Sequence, residues 1–368
     1  MKIHKPDKGL IIVIFALLIS GLVILSSASL IISREKTGNP YSYFFHQLIY
    51  GAAPGLILFF LCQKINYKFW RKIALIIFFC SLILMVLVFI PGLGYGRGEA
   101  QRWLIVGPIS LQPSEFLKLG FVIYLAAFFS RPACRQDRKE TQKINTLIPF
   151  LAIMILTGGL VALQSNAGTL GLIAIVGFVI YFLSGAKLYQ WITVIVCYAL
   201  GFFILIKFFP YRMQRFIVFL NPNIDPQGIS YQINQALLGI GSGGILGLGL
   251  GHSQQKYNYL PEVMGDSIFA ILAEEIGFVG SLIFICLFLI LAFKGFRMAK
   301  TSPDGFGRLL AIGITSWLVI QTLINIAAIT GLIPLTGIPL PFVSYGGSAL
   351  VSVLAGAGIL VNISKHTI

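Results

Sequence analysis

The scarce acidic residues of this sequence are concentrated in one stretch, YLPEVMGDSIFAILAEE, which runs from Tyr259 to Glu275. The chain has 12 Asp and Glu residues against 27 Lys and Arg residues. Glu262 and Asp266 are spaced so that one helical turn would bring both carboxylates to the same face. Such a pair could serve acid/base chemistry or hold a cation. Asp266 also directly precedes an apolar run, where Asp commonly caps a helix, so the spacing leaves both interpretations open.

Two further acids, Glu274 and Glu275, lie inside that apolar run. A helix would place them about 12–13 Å beyond Asp266, a depth at which a carboxylate needs a partner or a wet cavity. A hydrogen-bonded lock between helices competes with a functional role. We expect Gln321 and Asn325, one turn apart on a later helix, to be among the partners.

Charged and aromatic residues around a second segment, LQPSEFLK, could bind an anion. Glu115 and Lys118 have the i, i+3 spacing that allows an ion pair. They either neutralise each other, or Lys118 binds an anionic ligand while Glu115 orients it. Just upstream, Arg102 could bind a phosphate in bidentate fashion, and Trp103 could anchor in the headgroup layer.

Two segments rich in glycine or proline interrupt the helical pattern. GIGSGGILGLGLGHSQQK lacks the ending of a phosphate-binding P-loop, so close backbone approach is the favoured interpretation. PLTGIPLPFVSYGGS cannot form a continuous helix. Irregular backbone at membrane depth is tolerated where it is buried or lines a cavity, so this segment predicts a re-entrant loop. The absence of a Walker motif leaves ATP-driven transport unsupported.

The elements that must position these residues are membrane helices. The mean hydropathy is +0.90 and charged residues make up 11% of the chain, too little polar surface for a soluble domain of this length. We therefore predict an all-α integral membrane protein, with residues 1–368 as a single polytopic domain. The net charge of +15 is explained by basic cytoplasmic loops rather than by nucleic-acid binding. The five cysteines suggest no disulfide framework.

Hydropathy predicts about ten transmembrane helices: 9–32, 44–63, 71–90, 113–130, 146–164, 169–184, 187–208, 267–293, 307–330 and 345–363. With both termini cytoplasmic, 18 of the 27 Lys and Arg residues fall on the inner side, as the positive-inside rule requires. Residues 209–266 then form one long extracytoplasmic loop between helices 7 and 8. All the unusual motifs fall on the outer side, so a functional site should face outward.

Three motifs, in this order, resemble the SEDS (shape, elongation, division and sporulation) family: AQRWLIVGPISLQPSEFLK, YQINQALLGIGSGGILGLGLGHSQQKYNYLPEVMGDSIFAILAEEIG and GLIPLTGIPLPFVSYGGS. The similarity runs nearly end to end. LSSAS, PGLG and SQQKYNYLPE resemble the division branch, FtsW, with the elongation branch, RodA, as the close alternative. Two departures stand out. Asn166 replaces an Asp usual after helix five, and Gly265 and Ser267 flank Asp266 where the family tends to have Thr or Ser and then Phe.

The resemblance implies a peptidoglycan glycosyltransferase that polymerises lipid II into glycan strands at the outer face of the bacterial cytoplasmic membrane. Its implied partners are a class B penicillin-binding protein, which cross-links the strands, and other divisome or elongasome membrane proteins. It assigns the essential catalytic Asp to Asp266. Substrate-binding residues are expected among the polar residues of the same motifs: Arg102, Trp103, Glu115, Lys118, Gln232, Gln235, Lys256, Glu262, Ser344 and Tyr345.

That chemistry explains why acids are placed at the membrane edge. An acceptor hydroxyl must lose a proton to a carboxylate base as it attacks the anomeric carbon, with inversion. The departing pyrophosphate needs cations such as Arg102, Lys118 or Lys256, and a divalent ion, Mg²⁺ or Mn²⁺, could bridge it. Glu262 would raise the pKa of Asp266, whereas a helix N-terminus would lower it.

Two other functions stay open from the sequence. A flippase for the same lipid would need polar groups that connect both leaflets, whereas the motifs here crowd one side. A non-catalytic scaffold that activates a penicillin-binding protein is compatible with the altered motif at Asn166.

Overall fold

The computed structural model describes residues 4–97, 100–107, 109–131, 146–208, 210–221, 228 and 230–367. Both chain ends, Cys134 and most of the segment between the predicted fourth and fifth helices lie outside this part. The four described cysteines are free. The described helices are α1 (Lys8–Thr37), α2 (Ser42–Gln47), α3 (Ala53–Lys64), α4 (Lys68–Leu87), α5 (Pro113–Phe129), α6 (Leu147–Leu163), α7 (Ala167–Leu183), α8 (Leu188–Phe208), α9 (Pro210–Leu220), α10 (Tyr231–Ser242), α11 (Ile268–Thr301), α12 (Gly305–Ile329) and α13 (Gly347–Ser364).

Each predicted span coincides with a helix or a continuous helical run. The second span comprises α2 and α3, joined by a π-helical turn at Leu48–Ala52. Six helical segments of the described chain are long and apolar enough to cross a membrane, and α6, α7 and most of α8 form shorter apolar helices. The all-α membrane architecture is confirmed, while the number of crossings and the division into domains stay predictions.

A small antiparallel sheet precedes α5, where the sequence analysis expects no strand. Its strands are β1 (Gly94–Arg97), β2 (Ala100–Val106) and β3 (Ile109–Leu111), in the order β1-β2-β3. The sheet pairs local neighbours through short connections, so it forms without a strong long-range hydrophobic pattern. It places Arg102 and Trp103 on its central strand.

The centre of the bundle is formed by α12 and α13, whose residues are mostly buried. Small residues allow close helix packing in membranes. A Cβ added to Gly358 of α13 would lie 2.5 Å from the carbonyl oxygen of Phe59 on α3. The buried position of α12 gives its polar residues a fixed place beneath the functional site.

The predicted loop 209–266 contains two helices, α9 and α10, and then a glycine-rich segment, residues 243–251. This segment packs against a break in α11 at Gly277, which has φ 67° and ψ −169°. Phe278 donates its N–H to the carbonyl of Gly244 at 2.9 Å. A Cβ on Gly247 would lie 2.6 Å from the nitrogen of Gly277. Close backbone approach, rather than a phosphate loop, is therefore the role of these glycines.

Residues 331–346, called the proline loop below, connect α12 to α13 without a helix. The loop turns back into the bundle, because Gln321 of α12 donates its side-chain amide to the carbonyl of Pro339 at 2.8 Å. Ile338, Leu340 and Phe342 are buried. The predicted re-entrant course of this segment is confirmed.

Candidate functional site

Asp266 lies just outside α11, which begins at Ile268 with Ser267 in the N-cap position. Asp266 is therefore not the cap of this helix, and the capping interpretation is wrong. Its Oδ1 instead accepts a hydrogen bond from Nε2 of Gln232 on α10 at 3.2 Å. The same amide nitrogen lies 3.0 Å from Oγ of Ser267. Gln232 therefore contacts Asp266, and its expected role in binding substrate stays a prediction.

The backbone of Asp266 is held from below by α12. The side-chain amide of Asn325 donates to the carbonyl oxygens of Asp266 and of Ile338, both at 2.8 Å. Asn325 therefore ties the acid to the proline loop. We expected Asn325 and Gln321 to partner Glu274 and Glu275, and the structure corrects this. Both amides bind backbone of the segments around the site instead.

Ser344 and Tyr345 of the proline loop hold the two residues before Asp266. The Ser344 hydroxyl donates to the carbonyl of Gly265 at 2.7 Å, and the Tyr345 N–H donates to the carbonyl of Met264 at 2.8 Å. These contacts engage Ser344 with protein backbone rather than with an open surface. In this structure both residues act on the position of the acid, and their predicted contact with substrate is not tested.

The charge state of Asp266 is set by its surroundings. Burial is the main cause that raises the pKa of its carboxyl from the ordinary 3.8 to about 6, and the carboxylate of Glu262 adds to it. Arg215 and the hydrogen bond from Gln232 act in the opposite direction. Glu262 is itself exposed and has a left-handed φ of 51°. It therefore reaches Asp266 through a turn and not through the helical spacing that the sequence suggests.

Arg215 of α9 is a site residue that the sequence analysis does not single out. One of its guanidinium nitrogens donates to the carbonyl of Leu335 in the proline loop at 2.7 Å. Its charge is close enough to lower the pKa of Asp266. A signal was present, because Arg215 is one of the few basic residues on the predicted outer side, where the positive-inside rule disfavours them.

Arg102 and its neighbour on β2 occupy different environments from those expected. The guanidinium of Arg102 donates to the carbonyls of Gln164 at 3.0 Å and Ser165 at 2.5 Å. It fixes the turn between α6 and α7, and its contact with a phosphate stays a prediction. Trp103 is half-buried on β2, opposite Tyr95.

The turn that Arg102 holds contains the altered family motif. Asn166 caps α7, and its side chain accepts a hydrogen bond from the N–H of Thr169 at 3.2 Å. An amide oxygen can perform this role as a carboxylate does. The replacement of Asp by Asn therefore preserves the local fold of the turn.

Lys118 is not available to an anionic ligand in this structure. Its Nζ lies 2.7 Å from Oε2 of Glu115 and donates to Oε1 of Gln321 at 2.9 Å. Lys118 and Glu115 are 2% and 1% exposed. The self-neutralising pair is therefore the correct interpretation, and it lies inside the bundle because α12 packs over it.

Lys256 is likewise engaged away from Asp266. Its Nζ lies 3.2 Å from Oε1 of Glu275 and 3.2 Å from the Ser27 hydroxyl of α1. Glu275 follows Asp266 by more than two helical turns, and Lys256 is 2% exposed. In this structure Lys256 forms a buried ion pair, and its role as a cation for substrate stays a prediction.

Glu274 is also bound within the protein, at the break in α11. It accepts hydrogen bonds from the Ser253 hydroxyl and from the N–H of Gln254, the latter at 2.9 Å. Both acids are therefore bound within the protein, mainly by the non-helical 251–256 segment, and Glu275 also accepts a hydrogen bond from Ser27 of α1. Gln235 lies one turn beyond Gln232 on α10 and is half-buried, and its binding role stays a prediction.

The arrangement brings together a half-buried carboxylate, a second acid and an arginine at one end of the bundle. A carboxylate with a pKa near 6 is mostly ionised at neutral pH and can still accept a proton efficiently. The nearby guanidinium can stabilise negative charge on a phosphate. The site is therefore suited to activate a hydroxyl beside a phosphorylated group.

Comparison with known proteins agrees with this geometry. The family model FtsW/RodA/SpoVE, described as a cell cycle protein, matches residues 8–368. The chain is 38% identical over 363 residues to stage V sporulation protein E of Bacillus subtilis, covering 99% of this chain and 98% of that protein. It is 37% identical over 364 residues to a protein of Trichlorobacter lovleyi named "Probable peptidoglycan glycosyltransferase FtsW", covering 99% and 94%.

Two solved structures share the fold over nearly the whole chain. One comes from work on the structural coordination of polymerization and crosslinking by a peptidoglycan synthase complex, with a TM-score of 0.79, 25% identity and 98% coverage of both chains. The other is the rod shape determining protein RodA of Thermus thermophilus, with a TM-score of 0.71, 26% identity and coverage of 98% and 97%. This chain therefore belongs to the FtsW/RodA/SpoVE family of cell cycle proteins, the SEDS family that its motifs resemble.

Proposed function

We propose that this protein is a peptidoglycan glycosyltransferase that polymerises lipid II into glycan strands. The observation that carries the proposal is the position of Asp266 beside Arg215: Gln232 of α10 holds its carboxylate, and Asn325 of α12 holds its backbone carbonyl. Relatives that carry the glycosyltransferase name match the chain almost end to end, which supports the same activity here.

Asp266 serves as the general base in this proposal. It takes the proton of the acceptor hydroxyl as that oxygen bonds to the anomeric carbon of the donor sugar. The bond from that carbon to the pyrophosphate breaks in the same displacement, which inverts the anomeric centre. The hydrogen bonds to the Asp266 side chain and backbone hold the base in place, and such positioning lowers the barrier.

Arg215 supplies positive charge for the pyrophosphate that leaves. Lys118 and Lys256 are already paired with buried carboxylates, so a site that used either would first have to break an ion pair. The position of Arg215, between Asp266 and the proline loop, makes it the better candidate for this role.

A divalent cation, Mg²⁺ or Mn²⁺, fits these residues in part. Within the described chain, no group of three or more His, Cys, Asp and Glu residues is arranged to hold a metal ion. The carboxylates of Glu262 and Asp266 nevertheless form a pair of the kind that binds Mg²⁺ together with substrate phosphates. An ion held there would offset negative charge on the pyrophosphate.

The setting of the reaction follows from the same proposal. The protein lies in the bacterial cytoplasmic membrane with Asp266 facing outside, where the positive-inside rule places this end of the bundle. The family relatives named FtsW and stage V sporulation protein E support a division-type role. A class B penicillin-binding protein is the proposed partner, because the matching fold occurs in a complex that couples polymerization to crosslinking.

The test is polymer formation by the purified chain, with and without its partner, from lipid II in detergent. Asp266→Asn should abolish polymer while the protein still folds, because Asn keeps the hydrogen bond to Gln232 but cannot accept a proton as a carboxylate does. The matched control is Asp304→Asn, an acid-to-amide change at the cap of α12, which should retain activity.

Near-normal polymer from Asp266→Asn would remove the general-base role. A flippase would form no polymer at all, since the movement of a lipid across a membrane makes no glycosidic bond. A scaffold would leave polymer formation dependent on its partner and insensitive to Asp266→Asn.

A further inference from the structure

A recess of about 380 Å³ lies where α11 turns into α12, and cations from three helices line it. Arg71 comes from α4, Lys300 from the last turn of α11 and Arg308 from the first turn of α12. α11 starts beside Asp266, breaks at Gly277 and then continues to Thr301, so its part beyond the break is on the order of 35 Å long. The recess is therefore at the opposite end of the bundle from Asp266.

The one carboxylate among the described lining residues does not balance this charge. Asp304 accepts hydrogen bonds from the Tyr67 hydroxyl at 2.6 Å and from the Gly307 N–H at 2.7 Å. It also lies 3.7 Å from Nζ of Lys68, a fourth cation. The acid is thus engaged in capping α12 and in its contacts with the start of α4.

The tertiary structure creates this cluster, since Arg71 is more than two hundred residues from Lys300 and Arg308 in sequence. Like charges that the fold brings together repel each other, and a bound anion relieves that repulsion. Basic residues that only set the orientation of the helices need to lie on the cytoplasmic side of the membrane, but they do not need to line a common recess.

Two of the recess cations are each followed, one helical turn nearer the middle of their helix, by an exposed apolar side chain. Leu75, one turn from Arg71 on α4, is 49% exposed, and Phe296, one turn from Lys300 on α11, is 43% exposed. The two helices therefore each present a cation followed by an exposed apolar side chain. This order matches a phosphate headgroup with its acyl chains, whereas a free phosphate would leave the apolar part unused.

We propose that this recess binds the phosphate group of an anionic membrane lipid, with the acyl chains against Leu75 and Phe296. The positive-inside rule assigns this basic end to the cytoplasm, and the cytoplasmic leaflet carries anionic lipids. The site is independent of the glycosyltransferase activity proposed for Asp266.

The test measures lipid binding to the full-length purified chain by native mass spectrometry. The protein is titrated with phosphatidylglycerol, with phosphatidylcholine and with inorganic phosphate. Phosphatidylglycerol should bind most tightly. Replacement of the three cations together, Arg71→Gln, Lys300→Gln and Arg308→Gln, should weaken its binding about a hundredfold, at about fivefold for each charge lost.

The matched control removes the same charge from exposed residues of the same end that do not line the recess: Lys64→Gln, Lys72→Gln and Arg297→Gln. It should retain binding.

An equal loss in the control would show diffuse electrostatics and overturn the proposal, as would equal affinity for phosphatidylcholine. Displacement of the lipid by equimolar inorganic phosphate would also overturn it, in favour of a free-phosphate site. If the triple variant does not fold, Arg308→Gln alone should weaken binding about fivefold, and unchanged binding would contradict the proposal.

Discussion

Single residues in this bundle carry charge in two different ways. Lys118 with Glu115, and Lys256 with Glu275, are buried and compensate each other. Asp266 is half-buried, accepts a hydrogen bond from an uncharged amide and has a pKa of about 6. A buried ion pair resists separation, whereas an acid with a raised pKa exchanges protons near neutral pH, so Asp266 is the acid that we propose as the general base.

The raised pKa of Asp266 predicts the pH dependence of polymerisation. The base must be ionised, so the rate should rise as pH increases through about 6 and level off above it. Glu262→Gln removes a like charge that raises this pKa, so it should move the midpoint to lower pH. The measurement is the initial polymerisation rate across pH for both proteins. An identical midpoint in the variant would contradict the coupling between the two acids.

Loss of one member of a buried pair should cost stability rather than substrate affinity. Lys256→Met leaves the Glu275 carboxylate uncompensated, a change that typically costs about 3–5 kcal/mol. The thermal unfolding temperature in detergent should fall sharply. Combination with Glu275→Gln should restore part of it. Lys36→Met, at an exposed lysine of α1, is the control. Full stability together with weakened lipid II binding would instead return Lys256 to the substrate site.

At the scale of elements, a broken helix and two irregular segments build the site. The glycine-rich segment 243–251 supplies hydrogen-bond partners where α11 breaks at Gly277. The proline loop supplies partners for the backbone at Gly265 and Met264. Irregular backbone persists inside a membrane bundle because its polar groups are satisfied in this way. Asp266 owes its position to segments that are not themselves regular helices.

Gly277 should therefore be intolerant of a side chain. A Cβ there would lie 2.2 Å from the nitrogen of Gly247, at a φ of 67° that L-residues rarely adopt. Gly277→Ala should destabilise the protein by at least about 2 kcal/mol, seen as a lower unfolding temperature or as loss of the monodisperse peak. Gly159→Ala is the matched control. Gly159 is on α6 with no atom near its added Cβ, so its replacement should be neutral or slightly stabilising. Equal stability of the two variants would mean that the backbone contact is dispensable.

At the scale of the whole molecule, the two ends of the bundle have different chemistry. Asp266, Glu262 and Arg215 lie at one end, and the basic recess lies at the end of α11 farthest from Asp266. α11 also presents exposed apolar side chains along its length, including Phe278, Ile283 and Phe293. A partner helix in the membrane could pack on this face, while its outer portion reaches the segment 209–266 that ends at Asp266.

Partner binding should therefore raise polymerisation, provided that the partner prefers the active conformation. The measurement is polymer yield as a class B penicillin-binding protein is titrated in. The partner's own transpeptidase serine is mutated, so that crosslinking cannot contribute. A flat yield, with complex formation verified by pull-down, would leave co-localisation as the partner's role.

The membrane architecture could be predicted from the sequence alone, and so could the candidate acid. The number of apolar residues needed to span a bilayer is a local property, so each predicted span coincides with a helix of the structure. The order of the outer motifs likewise singled out Asp266, and its catalytic role stays a prediction. The break of the proline loop followed from its prolines alone.

The contacts of each buried charge could not be predicted without the packing of the helices. Lysine and arginine are suited to bind phosphate, but sequence spacing cannot show which of them already have partners in the fold. Lys118 is engaged by Glu115 and Gln321, and Lys256 by Glu275 and Ser27. Arg102 binds the turn after α6. The same limit explains why Arg215 was missed. Its proximity to Asp266 arises from the path of α9, some fifty residues earlier in the chain. Electrostatic partners depend on distance in space, and the chain sets that distance only when the helices pack.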